Sequence, residues 1–411
     1  MLTSTEITIR SVEEGELKRF LETVEVPFGE ETHEEDLERW EPHLNPDRQF
    51  WAWDRDVPVG TAGTYEKRMA IPGGDIATAA VTMVGVHPSH RRRGILTQLM
   101  RCQLDDAHER GEPVAALWAT EATIYGRYGY GLATTSTRIE ADRNRMAFRA
   151  PDTPSGRTRL LGDEEAREVM PLLWDRVQAA TPGMLSRDQG WWTSFRLADP
   201  ERWRQGAGPL FRAVWEGDDG PEAYALYRIK GSWEDGVPGG KLNVREALGV
   251  TPQSTREIWR FLFGVDLVTQ VGAFALPPDH PLFLAVGEPR RLKMTAGDGV
   301  WVRLLDVEAA LGARSYASDG TVVFDVRDAF CEWNEGTWRL AAEDGQATAA
   351  RSDDEADLRL DVADLASPYL GGFTFAQLQR AGRVDELRPG AIGTADALFL
   401  TAAQPWCPEI F

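Results

Sequence analysis

The sequence predicts an α+β protein organised in three units. At 411 residues the chain exceeds what one hydrophobic core serves. Apolar runs of strand length alternate with segments whose apolar residues recur at three- and four-residue spacing. The strand-then-helix pattern that opens the chain returns after residue 156, whereas from about residue 290 short strand-like runs dominate.

The opening EITIRSVEEGELKRFLETV reads as a strand followed by an amphipathic helix. IATAAVTMVGVHP is an apolar run of strand length, stopped by Pro88 and the hydrophilic SHRRR. From Ile95 onward, Leu96, Leu99, Met100, Leu104 and Ala107 keep helical spacing, so a helix begins beside Arg91, Arg92 and Arg93. VAALWATEATIYGRYGYGLAT supplies another strand, then Tyr125, Tyr128 and Tyr130 among three glycines, a segment suited to tight turning. A linker is expected at Pro151 and in PSGR, residues 154–157. RTRLLGDEEAREVMPLLWDRVQAA then repeats the opening as strand, acidic helix start and amphipathic helix. KLNVREALGVTPQSTREIWRFLF corresponds to VTMVGVHPSHRRRGILTQLM, with Q-S-T-R-E in place of R-R-R-G-I at the corner. Beyond residue 290, VWVRLL, TVVFDV, GTWRLAA, DLRLDV and the helical FTFAQLQRAG predict a small sheet with helices.

Composition narrows the function. Hydrophobic residues make up 42% and charged residues 27%, ordinary globular usage, and no stretch approaches the roughly 18 apolar residues of a membrane span. The N-terminus lacks the basic start and apolar run of a secretion signal, so a cytoplasmic location and no membrane partner are expected. A net charge of −20 argues against sequence-independent nucleic-acid binding and permits cationic partners. Cys102, Cys331 and Cys407 are far apart and odd in number, which fits neither a disulfide framework nor a zinc site. The six histidines are scattered, and no metal is expected.

The corner HPSHRRRGILTQLM holds the chemistry. A helix N-terminus offers unpaired backbone N–H groups and the positive end of the macrodipole, which together favour phosphate oxygens. Three arginines add charge and Gly94 lets an anion approach the backbone, so strand, turn and helix make a pyrophosphate cradle. Neither a Gly-x-x-x-x-Gly-Lys-Ser/Thr loop nor a Gly-x-Gly-x-x-Gly fingerprint is present. The second corner lacks the glycine and two of the arginines, and one such site per chain is expected. A tyrosine of the following loop, with an ordinary pKa near 10, can donate a proton to a departing thiolate.

The run V-G-V-H-P-S-H-R-R-R-G resembles the acetyl-coenzyme A motif of the GNAT N-acetyltransferases, Gln/Arg-x-x-Gly-x-Gly/Ala, with Leu96 where a small residue is usual. Together with I-Y-G-R-Y-G-Y-G, YALYRI, VREALGVT, GVWVRLLDVEAALGARSYA and the terminal phenylalanine, it resembles the Eis family of actinobacterial acetyltransferases along essentially the whole chain. The resemblance implies tandem GNAT folds, an active one at 1–148 and a degenerate one at 149–289, then a sterol-carrier-like domain at 290–411. It implies acetyl-coenzyme A as acetyl donor, held by Val84, Gly85, Val86, Arg91, Arg92, Arg93, Gly94, Ile95, Leu96 and Thr97, with Thr120 and Glu121 in the cofactor-binding set. It implies Tyr125 as general acid and the C-terminal carboxylate of Phe411 as base, with Glu121 or water the alternative. Trp40 and Trp118 are candidate pocket walls, since aromatic faces suit sugar rings and ammonium groups. The implied substrate is an aminoglycoside amine, the implied assembly a homohexamer. A protein-lysine acetyltransferase and a non-catalytic lipid-binding or scaffold protein are the alternatives.

Overall fold

In a computed structural model, residues 7–149 and 156–411 are described, so the expected linker residues Pro151 and Pro154 lie outside the described residues. Two seven-stranded sheets and a five-stranded sheet form the framework. The chain divides into two compact units, one of Met1–Ala133, Val300–Thr401 and Ile410–Phe411, the other of Thr134–Gly299 and Ala402–Glu409.

In the first unit the large sheet runs Ile7–Ser11, Gln49–Asp54, Val57–Ile71, Gly74–Val86, Val114–Trp118, Val300–Leu304, Gly131–Leu132. The helix Ile95–Glu109 buries Ile95, Leu99, Met100, Gln103, Leu104 and Ala107, the periodic face the sequence predicts. Gln103 shows why a polar residue is tolerated there: its buried Nε2 donates to the Gly63 carbonyl at 2.6 Å and to Thr64 Oγ1 at 2.8 Å. The five-stranded sheet belongs to the same unit and is packed around Phe324, Phe375 and Phe399, with centroids 5.1–6.4 Å apart. Buried Arg314 ties its connections together by donating to the carbonyls of Tyr369 at 2.7 Å and Phe399 at 3.3 Å.

In the second unit the sheet order is Thr295–Asp298, Thr135–Asp142, Val268–Leu276, Gly240–Gly249, Gly220–Lys230, Phe211–Gly217, Arg157–Leu160. Helix Asp163–Gln178 follows the last of these with Asp163, Glu164 and Glu165 in its first turn, where negative charge suits the macrodipole. This is the repeated opening.

The sheets do not respect the boundaries expected at residues 148 and 290. Strand Thr135–Asp142 pairs with Val268–Leu276 in the second sheet, and Val300–Leu304 lies in the first, bonded to Val114–Trp118 on one edge and to Gly131–Leu132 on the other. The segment VWVRLL is therefore a strand of the first sheet and not of the C-terminal one. Each repeat completes its sheet with a strand from the other. The chain switches sheets at Ala133–Thr134 and Gly299–Val300: the Ala133 amide donates to the Val300 carbonyl, and the Gly299 amide to the Thr134 carbonyl, both at 3.0 Å. Local apolar periodicity identifies a strand but not its partner, which is why residue 148 looked like an end.

Buried in the second unit is a charge cluster. Arg187 meets Glu246 through both terminal nitrogens at 3.0 and 2.6 Å, touches Glu409 through Nε, and lies over Trp174. Tyr224 donates to Glu246 at 2.5 Å. Burial alone would raise the Glu246 pKa, but Arg187 and Arg196 beside it hold it at about 2.

A chain cut to residues 1–148 lacks Val300–Leu304, and we expect it to lose cooperative unfolding and hydrogen-exchange protection of Val114–Trp118. A cooperative melt with those amides still protected would contradict the interlocked sheets.

Candidate functional site

The strand Gly74–Val86 carries the first irregularity. Thr61 stands opposite Gly85 and Gly63 opposite Thr82, so two residues, Met83 and Val84, face one on the neighbouring strand. Met83 has φ 54°, and Thr61 Oγ1 donates to its carbonyl at 2.8 Å. Such a bulge re-aims backbone groups that a regular ladder would consume. On its other edge the strand pairs with Val114–Trp118 only at Thr78, Ala79 and Ala80. Beyond Ala80 the two strands part, leaving half-buried Val84, Gly85 and Val86 without a ladder partner on that side among the described residues.

The arginine corner follows. Arg92 at φ 62° and Gly94 at φ 79° both adopt the left-handed conformation from which anion-binding nests are built. A Cβ on Gly94 would meet no atom within 4 Å, so backbone conformation, not crowding by protein, demands glycine, and the space above it is open. Gly94 is the N-cap of helix Ile95–Glu109 with no side-chain cap. The first-turn amides of Ile95, Leu96 and Thr97 are thus available to an incoming acceptor. At the second corner Thr251 Oγ1 accepts from the Ser254 amide and Ser254 Oγ accepts from the Thr251 amide, both at 3.0 Å. That capping box takes the third amide of the first turn, and Pro252 at the first position has no N–H, so two of the three amides open at the first corner have no counterpart here.

The three arginines separate in role. Arg93 is paired with Asp54 at 3.2 Å, and Asp54 also takes His90 Nε2 at 3.2 Å. Arg91 and Arg92 are exposed and form no ion pair among the described residues. Arg93 therefore stiffens the turn, while its neighbours are free to meet phosphate oxygens.

Tyr125 ends the helical turn Ala122–Tyr125, and Gly126–Tyr128 forms a second turn closed by Gly129 at φ 82°. Tyr125, Tyr128 and Tyr130 are buried in one apolar cluster with Met100, Leu104 and Leu117, against which half-buried Val84 and Leu96 pack. The structure thus brings strand, corner helix and tyrosine loop together, and Thr97 Oγ1 lies 3.2 Å from the Tyr128 hydroxyl. Burial, with Tyr128 and Glu121 nearby, pushes the Tyr125 pKa up to about 12. Thr120 and Glu121 are exposed in the turn before it. Trp118 ends its strand half-buried, opposite Val300. Trp40, half-buried at the end of helix Glu34–Trp40, stands outside the tyrosine cluster. Phe411 is half-buried and groups with the unit that carries Tyr125.

Two groups escaped the sequence reading. Arg303, on the interposed strand Val300–Leu304, is fully buried, pairs with Asp328 at 2.5 Å and lies where a Cβ on Gly129 would fall, so it props the tyrosine loop. Only the strand exchange puts it there. Glu25, on helix Leu17–Phe28, is buried, and burial with Glu30 and Asp36 close by pushes its pKa up to about 7. Two residues on, Pro27 seats against Gly85, where an added Cβ would come within 2.8 Å of it.

Family models match residues 8–133 as an acetyltransferase (GNAT) domain, 183–304 as another acetyltransferase (GNAT) domain, and 307–408 as a sterol carrier protein domain. The chain is 41% identical over 379 residues to an uncharacterized N-acetyltransferase of Streptomyces avermitilis, covering 92% of each. It is 33% identical over 355 residues to the N-acetyltransferase Eis of Mycobacterium bovis, covering 83% of each. Among solved structures, Eis1 from Mycobacterium abscessus superposes with a TM-score of 0.84 at 33% identity, over 98% of this chain and 100% of that one.

Because the Glu25 pKa is raised on folding, the native state retains a proton that the unfolded chain loses, so stability falls as pH rises from about 4.5 toward about 7. Glu25→Gln should remove that decline and stabilise the protein at pH 8 by about 1 kcal/mol or more, one pKa unit being worth ~1.4 kcal/mol. Parallel melting-temperature profiles of the two proteins between pH 5 and 8 would refute the assignment.

Proposed function

The chain belongs to the Eis family of GNAT N-acetyltransferases, and from that premise we propose that it transfers acetyl directly from acetyl-coenzyme A to an amine of a cationic substrate, an aminoglycoside. The observation that carries the cofactor assignment is the contrast between the two corners. The helix after Gly94 keeps its first amides uncapped, beside exposed Arg91 and Arg92, whereas the equivalent helix in the second repeat starts at Pro252, which has no N–H, and caps its third amide with Thr251. A pyrophosphate fits the first and is redundant in the second. The bulge and the parting strands favour Val84, Gly85 and Val86 for the pantetheine arm, with a backbone N–H near Val84 polarising the thioester carbonyl.

In this reading the neutral amine attacks the thioester carbonyl, the C–N bond forms and the C–S bond breaks. The Phe411 carboxylate takes the proton released by the amine, and Tyr125 donates to the leaving sulfur. A phenol held near 12 is a weaker acid than a thiol of about 8.5, so full transfer in isolation runs uphill. Tyr125 therefore acts by a hydrogen bond that strengthens as charge collects on sulfur, its proton passing over only as the bond breaks. Its raised pKa keeps it protonated throughout the neutral range. Cationic substrates suit a chain of net charge −20, whose long-range field raises their encounter rate.

The decisive assay follows acetyl-coenzyme A consumption with a panel of aminoglycosides and a lysine peptide. Turnover of aminoglycosides is expected; turnover confined to the peptide would reassign the substrate, and silence with all of them would overturn the reading. Tyr125→Phe should lower kcat by about 10²-fold or more with unchanged acetyl-coenzyme A affinity. Gly94→Trp should abolish that affinity in calorimetry, and unchanged binding would refute the cradle. A homohexamer is the proposed assembly, and a stable monomer in light scattering would exclude it.

A further inference from the structure

The helix Pro252–Gly264 of the second repeat works on two faces. Ile258, Leu262 and Phe263 are buried in the core cluster with Tyr227 and Val244. Pro252, Thr255, Arg256 and Trp259 recur at the spacing that puts residues on one side of a helix. With Phe148, His280 and the short helix Leu282–Ala285, that side encloses a cavity of about 260 Å³, wholly within the second unit. Its apolar walls are preformed. The His280 ring meets Trp259 edge-on, with centroids 5.5 Å apart, and Arg260 lies over Phe148 with its guanidinium carbon 4.6 Å from the ring centroid. Leu284 lines the cavity yet is 84% exposed, which marks the open side.

Two donors interrupt the apolar lining. His280 is only 5% exposed. Its Nδ1 accepts from the Leu282 amide at 3.0 Å, so in the neutral ring the proton sits on Nε2, and that N–H has no hydrogen-bond partner among the described residues. Burial lowers the His280 pKa to about 4 and keeps the ring neutral at pH 7. Arg256 spends Nε on Glu257 at 3.1 Å, while its two terminal nitrogens donate to no acceptor among the described residues. Among the described residues no carboxylate lines the cavity. Buried donors in native structures are almost always paired, so an unpaired one on a cavity wall points to an acceptor that the chain itself does not supply.

We propose that this cavity binds a small apolar monocarboxylic acid, its body against Trp259 and Phe148 and its carboxylate accepting from His280 Nε2 and Arg256. The chemistry follows from the lining. A lone guanidinium and one neutral N–H match the charge and lone pairs of a single carboxylate, whereas a phosphate would bring more charge than they balance. The size sets the body: an engineered apolar cavity of about 150 Å³ holds benzene, so this one takes a molecule somewhat larger. The site lies in the repeat whose corner caps itself, and it stands whether or not the chain transfers acetyl groups.

The test is calorimetric titration of the full chain with naphthoate, and with naphthylmethanol as the neutral molecule of the same body. Naphthoate should bind at a single site with a Kd below about 1 mM, a modest affinity for a ligand of its size. Naphthylmethanol should bind about tenfold more weakly or worse, since it forgoes the charge-assisted hydrogen bonds. Arg256→Gln should weaken naphthoate by about tenfold and the alcohol by less than about twofold. Ala285→Phe, which fills the cavity from a half-buried position, should abolish binding of both. Melting temperatures accompany each variant, and Arg256→Gln, which alters a partly exposed side chain, carries the test should Ala285→Phe fold poorly. Saturating coenzyme A should leave the naphthoate Kd unchanged. No binding to the unaltered chain at about 5 mM naphthoate, equal affinity for acid and alcohol, or affinity unchanged in both variants overturns the site. Displacement of naphthoate by coenzyme A also overturns it, by assigning the acid to the cofactor cleft of the first repeat.

Discussion

The strand Val300–Leu304 is hydrogen-bonded along both edges, and the first sheet depends on that pairing. Without it, Val114–Trp118 and Gly131–Leu132 would each present a row of unpaired backbone groups at the centre of the unit. The strand also carries Arg303, whose pairing with Asp328 props the tyrosine loop under Gly129. The end of the second repeat therefore shapes the site of the first. The reciprocal strand, Thr135–Asp142, does the same for the second sheet. The chain thus crosses between the two sheets, and each sheet has its own core.

Within that frame the difference between the repeats reduces to where a few backbone amides go. Both present a strand, a turn and a helix. In one, Thr251 and Ser254 satisfy the helix start. In the other, Arg92 and Gly94 take left-handed backbone, no side chain caps the helix, and the amides remain for an external acceptor. A glycine N-cap weakens a helix by about a few tenths of a kcal/mol relative to a good side-chain cap, a cost that buried Ile95, Leu99 and Met100 on its apolar face readily offset. Stability surrendered at a site and recovered by packing is the usual signature of function.

The charge cluster around Arg187 obeys a different logic. Ion pairs taken out of water contribute little net stability, since desolvation opposes their attraction. Their value is specificity. Ordering a residue costs about 1–2 kcal/mol of backbone entropy, and a tail without regular structure needs strong directional contacts to stay put. Trp406, Cys407 and Glu409 supply burial and charge at the last turns of the chain, and all three are buried.

Much of this was legible in the residues alone. Apolar periodicity located helix Ile95–Glu109 and its buried face, the repeated opening located helix Asp163–Gln178, and R-R-R-G against Q-S-T-R-E located the one open corner. These are local properties, written in spacing, charge and the φ that only glycine adopts easily. Tertiary structure alone decided that strands 135–142 and 300–304 exchange sheets, that Arg93 turns to Asp54, and that Arg303 rather than a neighbour in sequence supports the tyrosines. It likewise decided that burial beside Glu30 and Asp36 pushes the Glu25 pKa up to about 7 and that Glu409 is gripped by arginines more than two hundred residues upstream. The reason is common to all of them: strand partners, desolvation and ion pairs depend on what long-range folding brings near, and no periodicity in the chain records it.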